Sequence, residues 1–279
     1  MTYVDQATVE SIKRKQEAIV QTFGVQKSID PVKEVEKRVT FLINKVVESK
    51  AKGFVLGISG GLDSFNAGML AKIAIERLNK MTESNDYKFI AMRLPYGTQR
   101  DESDAQASID VIKPSEVVTY NIKPSVDAAI KEMNNNSIKI SDFVKGNRKA
   151  RERMVAQYDI AATNNLLVIG TDHAAEAITG FYTKHGDGAC DLTPLSTLNK
   201  RQGYQLAVHF GAPKNILTKK PTADLEDDNP QLSDEDSLGL TYDQIDDFLE
   251  GKMIEIQAAI KLINQYDKTE HKRKPIPKA

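Results

Sequence analysis

The residues best suited to chemistry lie in a glycine-rich segment, Ser59 to Ser64, which reads Ser-Gly-Gly-Leu-Asp-Ser. An apolar run, Phe54 to Ile58, precedes it and is typical of a buried strand, and a helical pattern begins near Asp63. A glycine loop between a strand and a helix start presents backbone N–H groups and the positive end of the helix dipole to an anion. Ser59 and Ser64 add hydroxyl groups, and the carboxylate of Asp63 is of the type that holds Mg²⁺. The segment therefore predicts an anion site, most often a site for phosphate.

Other interpretations of this loop stay open at the level of the motif. No Gly-Lys-Ser/Thr follows a glycine by four residues, which excludes a Walker A loop, and the spacing of Gly57, Gly60 and Gly61 does not fit a dinucleotide fingerprint. The segment Gly57 to Gly61 does match Gly-x-Ser-x-Gly, so Ser59 could be the nucleophile of a hydrolase. A strand–helix turn without any ligand is the remaining alternative.

The composition bounds the class of protein. The chain has 279 residues, a length that suits one large domain or two small ones. Its 38 Lys and Arg side chains nearly balance 39 Asp and Glu side chains, so no basic field points to nucleic acid. Cys190 is the sole cysteine, which excludes a disulfide framework and a cysteine zinc cluster. With a polar N-terminal stretch and no apolar run near the roughly 20 residues of a membrane span, a soluble cytoplasmic protein without a membrane partner is expected.

Strand-like and helix-like segments alternate along the chain. Apolar residues at helical spacing predict a helix over Val32–Ser49, with Asp30 as its N-cap and Pro31 in its first turn. The same patterns predict strands at 54–58, 89–94, 117–122 and 166–169, and helices at 64–80, 102–112, 125–133, 146–164 and 173–181. This alternation predicts an α/β fold with a doubly wound parallel sheet flanked by helices. The acidic run Asp224–Asp236 is predicted to be a mobile surface loop.

Three polar segments fall at the carboxyl ends of predicted strands, where ligands bind on such sheets: Ser59–Ser64, Arg93–Gln99 and Gly170–Glu176. Glu176 lies within the first turns of a predicted helix, near the same sheet edge as Asp63. Two carboxylates from adjacent strand ends can share one Mg²⁺ and leave its other positions to water and phosphate oxygens. The three segments together predict a nucleotide site with a metal.

Several further residues could serve this site or have ordinary structural roles. Thr171 or Asp172 is the predicted N-cap of the following helix, and His173 is either a base or a hydrogen-bonding neighbour. Asp187 is flanked by glycines, which suits a carboxylate held close to a ligand but also an ordinary turn. Two cationic spots could neutralise a polyphosphate or remain solvated, Lys200–Arg201 and Lys219–Lys220.

With these segments in order, the chain resembles the ammonia-dependent NAD⁺ synthetases. That family belongs to the N-type ATP pyrophosphatases, whose loop is Ser-Gly-Gly-x-Asp-Ser and whose fold is Rossmann-like, of the adenine nucleotide alpha hydrolase type. The loop alone indicates only this superfamily. The narrower resemblance rests on matching segments between about Ser28 and Arg273. They are Arg93–Gln99, Lys145–Arg151, Gly170–Glu176, Gly180–Gly188, Lys220–Leu225 and Glu270–Arg273.

The resemblance implies one synthetase domain over residues 1–279 and a specific reaction. ATP adenylates the nicotinate carboxylate of deamido-NAD⁺ with loss of pyrophosphate, and ammonia then displaces AMP to give NAD⁺. Mg²⁺ is the implied cofactor, ATP the co-substrate and a homodimer the implied assembly. Free ammonia is the expected donor, because Cys190 lies inside the synthetase-like region and no spare glutaminase domain is expected. Another adenylating ATP pyrophosphatase (an amidotransferase or a tRNA-modifying enzyme) and a non-catalytic nucleotide-binding homologue are the alternatives.

The resemblance also implies roles for individual residues. Contacts to ATP or pyrophosphate are implied for Gly57, Ile58, Ser59, Gly60, Gly61, Leu62, Asp63, Ser64, Arg93, Gln99, Thr171, Lys200 and Thr222. Contacts to deamido-NAD⁺ are implied for Arg151, Lys184, Asp191, His271 and Lys272. Asp63 and Glu176 would hold Mg²⁺. The implied catalytic residues are Asp63, Lys200 and Asp187, of which Asp187 would bind or deprotonate the incoming ammonium.

Two departures from the family pattern stand out. Leu62 and Phe65 occupy positions where the family loop usually has Gln and Thr, although the anion-binding residues of the loop are kept. Leu62 removes a polar side chain beside the loop, so a change in ATP affinity or loop geometry is expected. The chain ends at Pro275–Ala279, where family members usually continue into an acidic and aromatic tail.

Overall fold

A parallel sheet forms the centre of the molecule. The computed structural model describes residues 6–98, 102–222 and 233–278. Its strands are β1 (Gly53–Gly57), β2 (Lys88–Arg93), β3 (Glu116–Thr119) and β4 (Leu167–Val168). Their order across the sheet is β3-β2-β1-β4, and every pairing is parallel. The chain therefore moves outward from β1 to β3 and then returns to the other side of β1, which creates a switch point between β1 and β4.

Helices connect and flank these strands. They are α1 (Gln6–Phe23), α2 (Pro31–Ser49), α3 (Leu62–Met81), α4 (Glu102–Ile112), α5 (Lys123–Asn135), α6 (Asp142–Asn164), α7 (Ala174–Thr179), α8 (Lys200–His209), α9 (Lys214–Thr218), α10 (Asp234–Leu238), α11 (Tyr242–Leu249), α12 (Ile256–Lys268) and α13 (Glu270–Arg273). The helices and strands predicted between residues 32 and 181 are all present, with ends that differ by a few residues. Helix α1 was not predicted. No helix within the described ranges is long and apolar enough to cross a membrane.

The start of α2 follows its sequence signals. The side chain of Asp30 accepts hydrogen bonds from the backbone N–H groups of Val32 and Lys33, and Pro31 occupies the first turn. These contacts satisfy N–H groups that have no partner inside the helix. The prediction for the acidic run is partly wrong, because α10 begins at Asp234, two residues before the predicted loop ends. The rest of that run, up to residue 232, lies outside the described residues.

Both faces of the sheet are covered, which confirms the doubly wound prediction. Side chains alternate between the faces of a strand. Phe54 and Leu56 point into a core formed with α2, α3, α4 and α8, whereas Val55 points into a second core formed with α5 and α6. Phe54 and Leu56 are almost completely buried, and each such side chain stabilises the fold by about 1.5–3 kcal/mol. The sheet is thus a rigid platform for the loops at its carboxyl edge.

A third core lies among helices alone. It joins α1, α7, α11 and α12 through buried apolar side chains, including Ile19, Ile178, Phe248 and Leu262. Gln16 on α1 donates to the backbone oxygens of Phe248 at 2.9 Å and Lys252 at 2.8 Å, which fixes α1 against the end of α11. This helical core carries α7 and α11, two helices that supply or support residues of the candidate site.

Candidate active site

A cavity of about 670 Å³ opens at the carboxyl ends of β1 and β4. It lies at the switch point of the sheet, where open α/β sheets bind their ligands. Most residues predicted for the nucleotide site line it: Gly57, Ile58, Ser59, Gly61, Leu62, Asp63, Ser64, Thr171, Glu176, Asp187, Lys200 and Thr222. The fold therefore brings together segments that are far apart in the sequence.

The Ser59–Ser64 loop leads from β1 into α3. The Ser59 hydroxyl lies 3.2 Å from the Ser64 hydroxyl and accepts from the Gly61 N–H at 3.3 Å. Gly61 is the N-cap of α3 and provides no side-chain cap, so no cap side chain occupies the first N–H groups of the helix. Within the described part of the chain, no hydrogen bond joins Ser59 to a histidine. This geometry favours an anion cradle over a serine nucleophile, which needs an adjacent base.

Gly60 holds the loop against the start of α4. Its φ is +75°, a left-handed conformation that favours glycine. A Cβ atom at Gly60 would lie 2.5 Å from the Ala105 nitrogen and 2.6 Å from the Asp104 carbonyl carbon. The loop is therefore restricted twice at this residue, by its backbone conformation and by the backbone of α4. Gly60 does not line the cavity, but it fixes the loop whose other residues do.

A partly buried ion pair joins α3 to α8 at the cavity. The Lys200 ammonium donates to Asp63 Oδ2 at 2.7 Å and lies 3.3 Å from His173 Nε2. Burial opposes the charged form of both partners, but their mutual attraction is stronger. The pKa of Asp63 is consequently lowered and the pKa of Lys200 is raised. Both groups are held in their charged forms at neutral pH.

The predicted metal ligands, Asp63 and Glu176, lie close together beside His173. One donor atom from each of the three residues fits within a mutual distance of 4.8 Å. The predicted N-cap of α7 at Thr171 or Asp172 is wrong, because His173 is the cap and its Nδ1 accepts from the Glu176 N–H at 3.4 Å. The other ring nitrogen of His173, Nε2, lies 3.4 Å from Glu176 Oε1. The two carboxylates therefore suit Mg²⁺, which prefers oxygen, and His173 orients Glu176.

The start of α8 is fixed from below by α11. Asn199 caps α8 in a reciprocal pair with Gln202. Asp246 on α11 is 1% exposed and accepts from the backbone N–H groups of Lys200 at 3.0 Å and Arg201 at 2.7 Å. The sequence does not indicate a role for Asp246, because its partners are backbone N–H groups, which are the same for almost every residue type. These contacts set the direction in which the Lys200 side chain leaves the helix.

Replacing Asp246 with Asn is expected to lower the free energy of unfolding by about 1–3 kcal/mol, because the amide can accept only through one oxygen and leaves a partly buried N–H unpaired. Asp243→Asn is the control on the same helix, with a side chain that is 88% exposed and an expected effect within about 0.5 kcal/mol. Urea unfolding of both variants measures this. Equal effects would contradict the assigned role of Asp246.

The same variant predicts a pH dependence. Burial raises the pKa of Asp246 to about 6, against the opposing N–H donors of Arg201 and Lys200. Since the folded-state pKa exceeds the unfolded value, the folded protein holds the proton more tightly, and stability contributed by this carboxyl is lost as the pH rises from about 4 to about 6. The stability advantage of the wild type over Asp246→Asn should therefore be larger at pH 4 than at pH 7.

Two further carboxylates lie near Glu176. Asp187 accepts from the Thr183 N–H at 3.0 Å and is crowded by protein atoms, yet its side chain stays exposed to water in the cavity. The crowding raises the pKa of Asp187, although the Thr183 N–H opposes the shift. Burial, together with the charges of Glu176 and Asp187, raises the pKa of Asp172 to about 8. At neutral pH Asp172 thus presents a protonated carboxyl that can donate a hydrogen bond.

Another wall of the cavity comes from α6; its residue Lys149 lies in the segment Lys145–Arg151 that carries the resemblance, whereas Arg153 and Gln157 were missed in the sequence. Lys149, Arg153 and Gln157 line the cavity at four-residue spacing, which places them on one face of the helix. The Gln157 side chain accepts from the Gly57 N–H at 2.8 Å and so joins α6 to the end of β1. The Lys149 ammonium lies 4.6 Å from the centre of the Tyr96 ring. The four-residue spacing of polar side chains was the signal that could have found this wall.

The remaining nucleotide residues have other positions. Arg93 forms an ion pair with Glu102 at the start of α4 and does not contribute to the cavity lining found among the described residues. Gln99 lies outside the described residues. Phe65 is completely buried in the core, and Leu62 packs against that core while it also lines the cavity. The two departures from the family loop therefore add apolar packing beneath it.

Four of the five residues predicted for deamido-NAD⁺ form one cluster outside the cavity. Arg151 donates to the Lys184 carbonyl at 3.3 Å, and the Lys184 ammonium donates to the His271 carbonyl at 2.8 Å. The Lys272 ammonium donates to the carbonyl of Gly180 at 2.7 Å, which connects α13 to the end of α7.

The fifth, Asp191, lies beside β4. One of its oxygens accepts from the Val168 N–H at 2.8 Å, and the other accepts from the Tyr158 hydroxyl at 3.3 Å. The carboxylate thus has a structural role at the strand. The two hydrogen bonds fix the position of the Asp191 carboxylate, and therefore the position in which a ligand would meet it.

Comparison with known proteins identifies the family to which this arrangement belongs. The family model described as NAD synthase matches residues 34–276. The chain belongs to the NAD synthase family. The NH₃-dependent NAD⁺ synthetase of Halalkalibacterium halodurans is 56% identical, over 92% of this chain and 95% of the relative. The enzyme with the same description from Aliivibrio fischeri is 53% identical, over 94% of this chain and 98% of the relative.

Solved structures of NAD synthase relatives share the fold. The NAD⁺ synthetase of Burkholderia pseudomallei aligns with a TM-score of 0.81 at 42% identity, over 94% of this chain and 97% of its own. The NMN synthetase of Francisella tularensis aligns with a TM-score of 0.80 at 34% identity, over 90% of this chain and 99% of its own. The family resemblance and the α/β fold predicted from the sequence are confirmed.

Proposed function

We propose that this chain is a ligase that synthesises NAD⁺ from deamido-NAD⁺, ammonia and ATP. The carboxylate oxygen of the nicotinate ring attacks the α-phosphorus of ATP, and the bond to the bridging oxygen breaks with release of pyrophosphate. Ammonia then attacks the carbonyl carbon of the acyl adenylate, loses a proton, and displaces AMP. One observation beyond family membership carries the proposal: the Ser59–Ser64 anion loop, Lys200 and the Asp63–Glu176 pair face one cavity.

The loop and Lys200 suit the leaving group. The N–H groups at the start of α3 would receive the departing pyrophosphate, and their dipole favours its negative charge. Asp63 and Glu176 would hold Mg²⁺, which when bound supplies positive charge at the oxygens that carry the developing negative charge. His173 would keep Glu176 oriented through the hydrogen bond that its Nδ1 accepts from the Glu176 N–H. Lys200 and Thr222 line the same cavity and would complete the ATP site.

Asp187 is our candidate for binding or deprotonating the ammonium ion. It is exposed to water in the cavity, and the N–H of Thr183 fixes one of its oxygens. A pKa that is raised above the ordinary carboxyl value supports proton uptake nearer neutral pH.

We infer that the chain works as a homodimer, with deamido-NAD⁺ bound beside α6. Val144 and Val155 are 40% and 44% exposed, and Phe143 is 64% exposed. Arg151 and Val155 follow Val144 by seven and eleven residues, so the three share one face of the helix. A second copy that covers this face would enclose Arg151. Sedimentation equilibrium tests the inference, and a monomer at every concentration would contradict it.

An assay with purified protein tests the function. Incubation with ATP, Mg²⁺, ammonium and deamido-NAD⁺ should yield NAD⁺ with equal amounts of AMP and pyrophosphate. Glutamine in place of ammonium should give little product, and nicotinic acid mononucleotide should be run in parallel because one structural relative is an NMN synthetase. ADP and phosphate as products, or intact ATP, would overturn the proposal. Amidation of the mononucleotide alone would reassign the substrate.

A further inference from the structure

Asp234 is a buried carboxylate in the cavity wall that the proposed mechanism does not use. It begins α10, lines the cavity and is 5% exposed. Its Oδ2 accepts from the Tyr242 hydroxyl at 2.8 Å, whereas its Oδ1 is buried and has no hydrogen-bond partner in the described structure. A buried acceptor without a donor is costly. The orphan oxygen therefore points to a partner that reaches it in another state of the site.

Lys200 is the cation best placed to become that partner. Its ammonium lies 5.0 Å from the centre of the Tyr242 ring, the same ring whose hydroxyl holds Asp234. A lysine ammonium sits on a flexible stem with several rotatable bonds, so it can move between neighbouring anions while its backbone stays fixed. The backbone of Lys200 is fixed by Asp246.

Lys200 now occupies the place that a divalent cation needs. Its ammonium is 2.7 Å from Asp63 Oδ2 and 3.3 Å from His173 Nε2, two of the three residues that form the cluster with Glu176. Mg²⁺ binds carboxylate oxygens at about 2.0–2.1 Å. An ammonium and a divalent cation on the same carboxylate repel each other strongly in a partly buried site. Binding of the metal therefore favours movement of Lys200 away from Asp63.

We propose that Asp234 is the second partner of Lys200 and accepts its ammonium when a divalent cation occupies Asp63 and Glu176. The inference rests on the metal site of the proposed function. Asp234 is thus a positioning residue, which acts on the metal site through Lys200. The exchange leaves each carboxylate with one cation. Moving to Asp234 also carries the ammonium towards Tyr242 and away from the Asp63 carboxylate.

Binding of Mn²⁺ alone, followed by electron paramagnetic resonance of the free ion, tests the exchange. Asp234→Asn should weaken Mn²⁺ binding at least roughly threefold, since residues in one ion-pair network are coupled and Lys200 then remains on Asp63. Lys200→Met should tighten Mn²⁺ binding, because the competing cation is gone. In the Lys200→Met background, Asp234→Asn should have no further effect.

Asp86→Asn is the matched control. It removes one exposed carboxylate just before β2, at the opposite edge of the sheet, and should leave Mn²⁺ binding unchanged. A loss that persists in the Lys200→Met background would make Asp234 a metal ligand and overturn the exchange. Unchanged binding in Asp234→Asn, or no tightening in Lys200→Met, would also overturn it. The Lys200→Met result stands by itself if Asp234→Asn does not fold. Failure of the wild type to bind Mn²⁺ would overturn the proposed metal site as well.

Discussion

Replacing Asp63 with Asn is expected to lower the turnover of NAD⁺ synthesis by at least roughly tenfold, and to raise the Mg²⁺ concentration needed for half-maximal rate. Asp63 is the one residue of the cavity that belongs both to the anion loop and to the pair of candidate metal ligands. An amide keeps the size of the side chain but loses the charge. The loss should therefore be largest in kcat, because the charge matters most when pyrophosphate departs.

Steady-state rates of AMP release across a Mg²⁺ titration measure this effect. Asp86→Asn is the control for removal of one carboxylate elsewhere and should keep the wild-type rate. Asp63→Asn also removes the carboxylate that pairs with Lys200. The free energy of unfolding without Mg²⁺, from urea unfolding, should therefore be measured together with the rates, so that a loss of stability is distinguished from a loss of catalysis. A fully folded variant with wild-type turnover at limiting Mg²⁺ would remove Asp63 from the metal site.

Gly60→Ala is expected to lower the free energy of unfolding by about 2–5 kcal/mol, as the sum of left-handed strain and overpacking. The added methyl group would meet the backbone of α4, at 2.5 Å from the Ala105 nitrogen, which cannot turn aside as a side chain could. Either the loop or the start of α4 must move. We therefore also expect ATP binding to weaken severalfold, as calorimetric titration would show.

Gly211→Ala separates the two causes. Gly211 has a φ of +72°, close to that of Gly60, and nothing lies within 4 Å of its added Cβ. Gly211→Ala should lower the free energy of unfolding by only about 1–2 kcal/mol and leave ATP binding unchanged. Equal losses of stability in the two variants would mean that α4 does not constrain the loop. Unchanged ATP binding in a folded Gly60→Ala protein would separate the loop from nucleotide recognition.

The fold was largely predictable because its signals are local. The Asp30 cap, Pro31 and the spacing of apolar residues define α2 without any tertiary information. Helix α1 was missed because its sequence is mostly polar, and its few buried residues, such as Ile19, acquire meaning only against α11 and α12. The cap of α7 was placed wrongly because a histidine is a less usual cap than threonine or aspartate.

The candidate site was predictable only where a motif carries the chemistry. The Ser59–Ser64 loop and Glu176 follow strands, and their meeting at one sheet edge follows from the topology. Asp246 and Asp234 were out of reach, since each lies on a helix that is unrelated to any strand end. Asp246 matters because it accepts from the backbone N–H of Lys200, and Asp234 matters because its Oδ1 has no hydrogen-bond partner in the described structure. Neither property follows from the residue type.

The positions of the two candidate metal ligands make catalysis sensitive to how two cores fit together. Asp63 and Lys200 lie on α3 and α8, helices of the core around the sheet, whereas Glu176 lies on α7, a helix of the core formed by helices alone. A small displacement of one core relative to the other would separate Asp63 from Glu176 before either core unfolds. Regions with fewer shared contacts open first on heating. We therefore expect activity to be lost on heating at a lower temperature than secondary structure. Bound substrates and metal should raise the temperature of this inactivation, because they bind only the arrangement in which the two cores fit together.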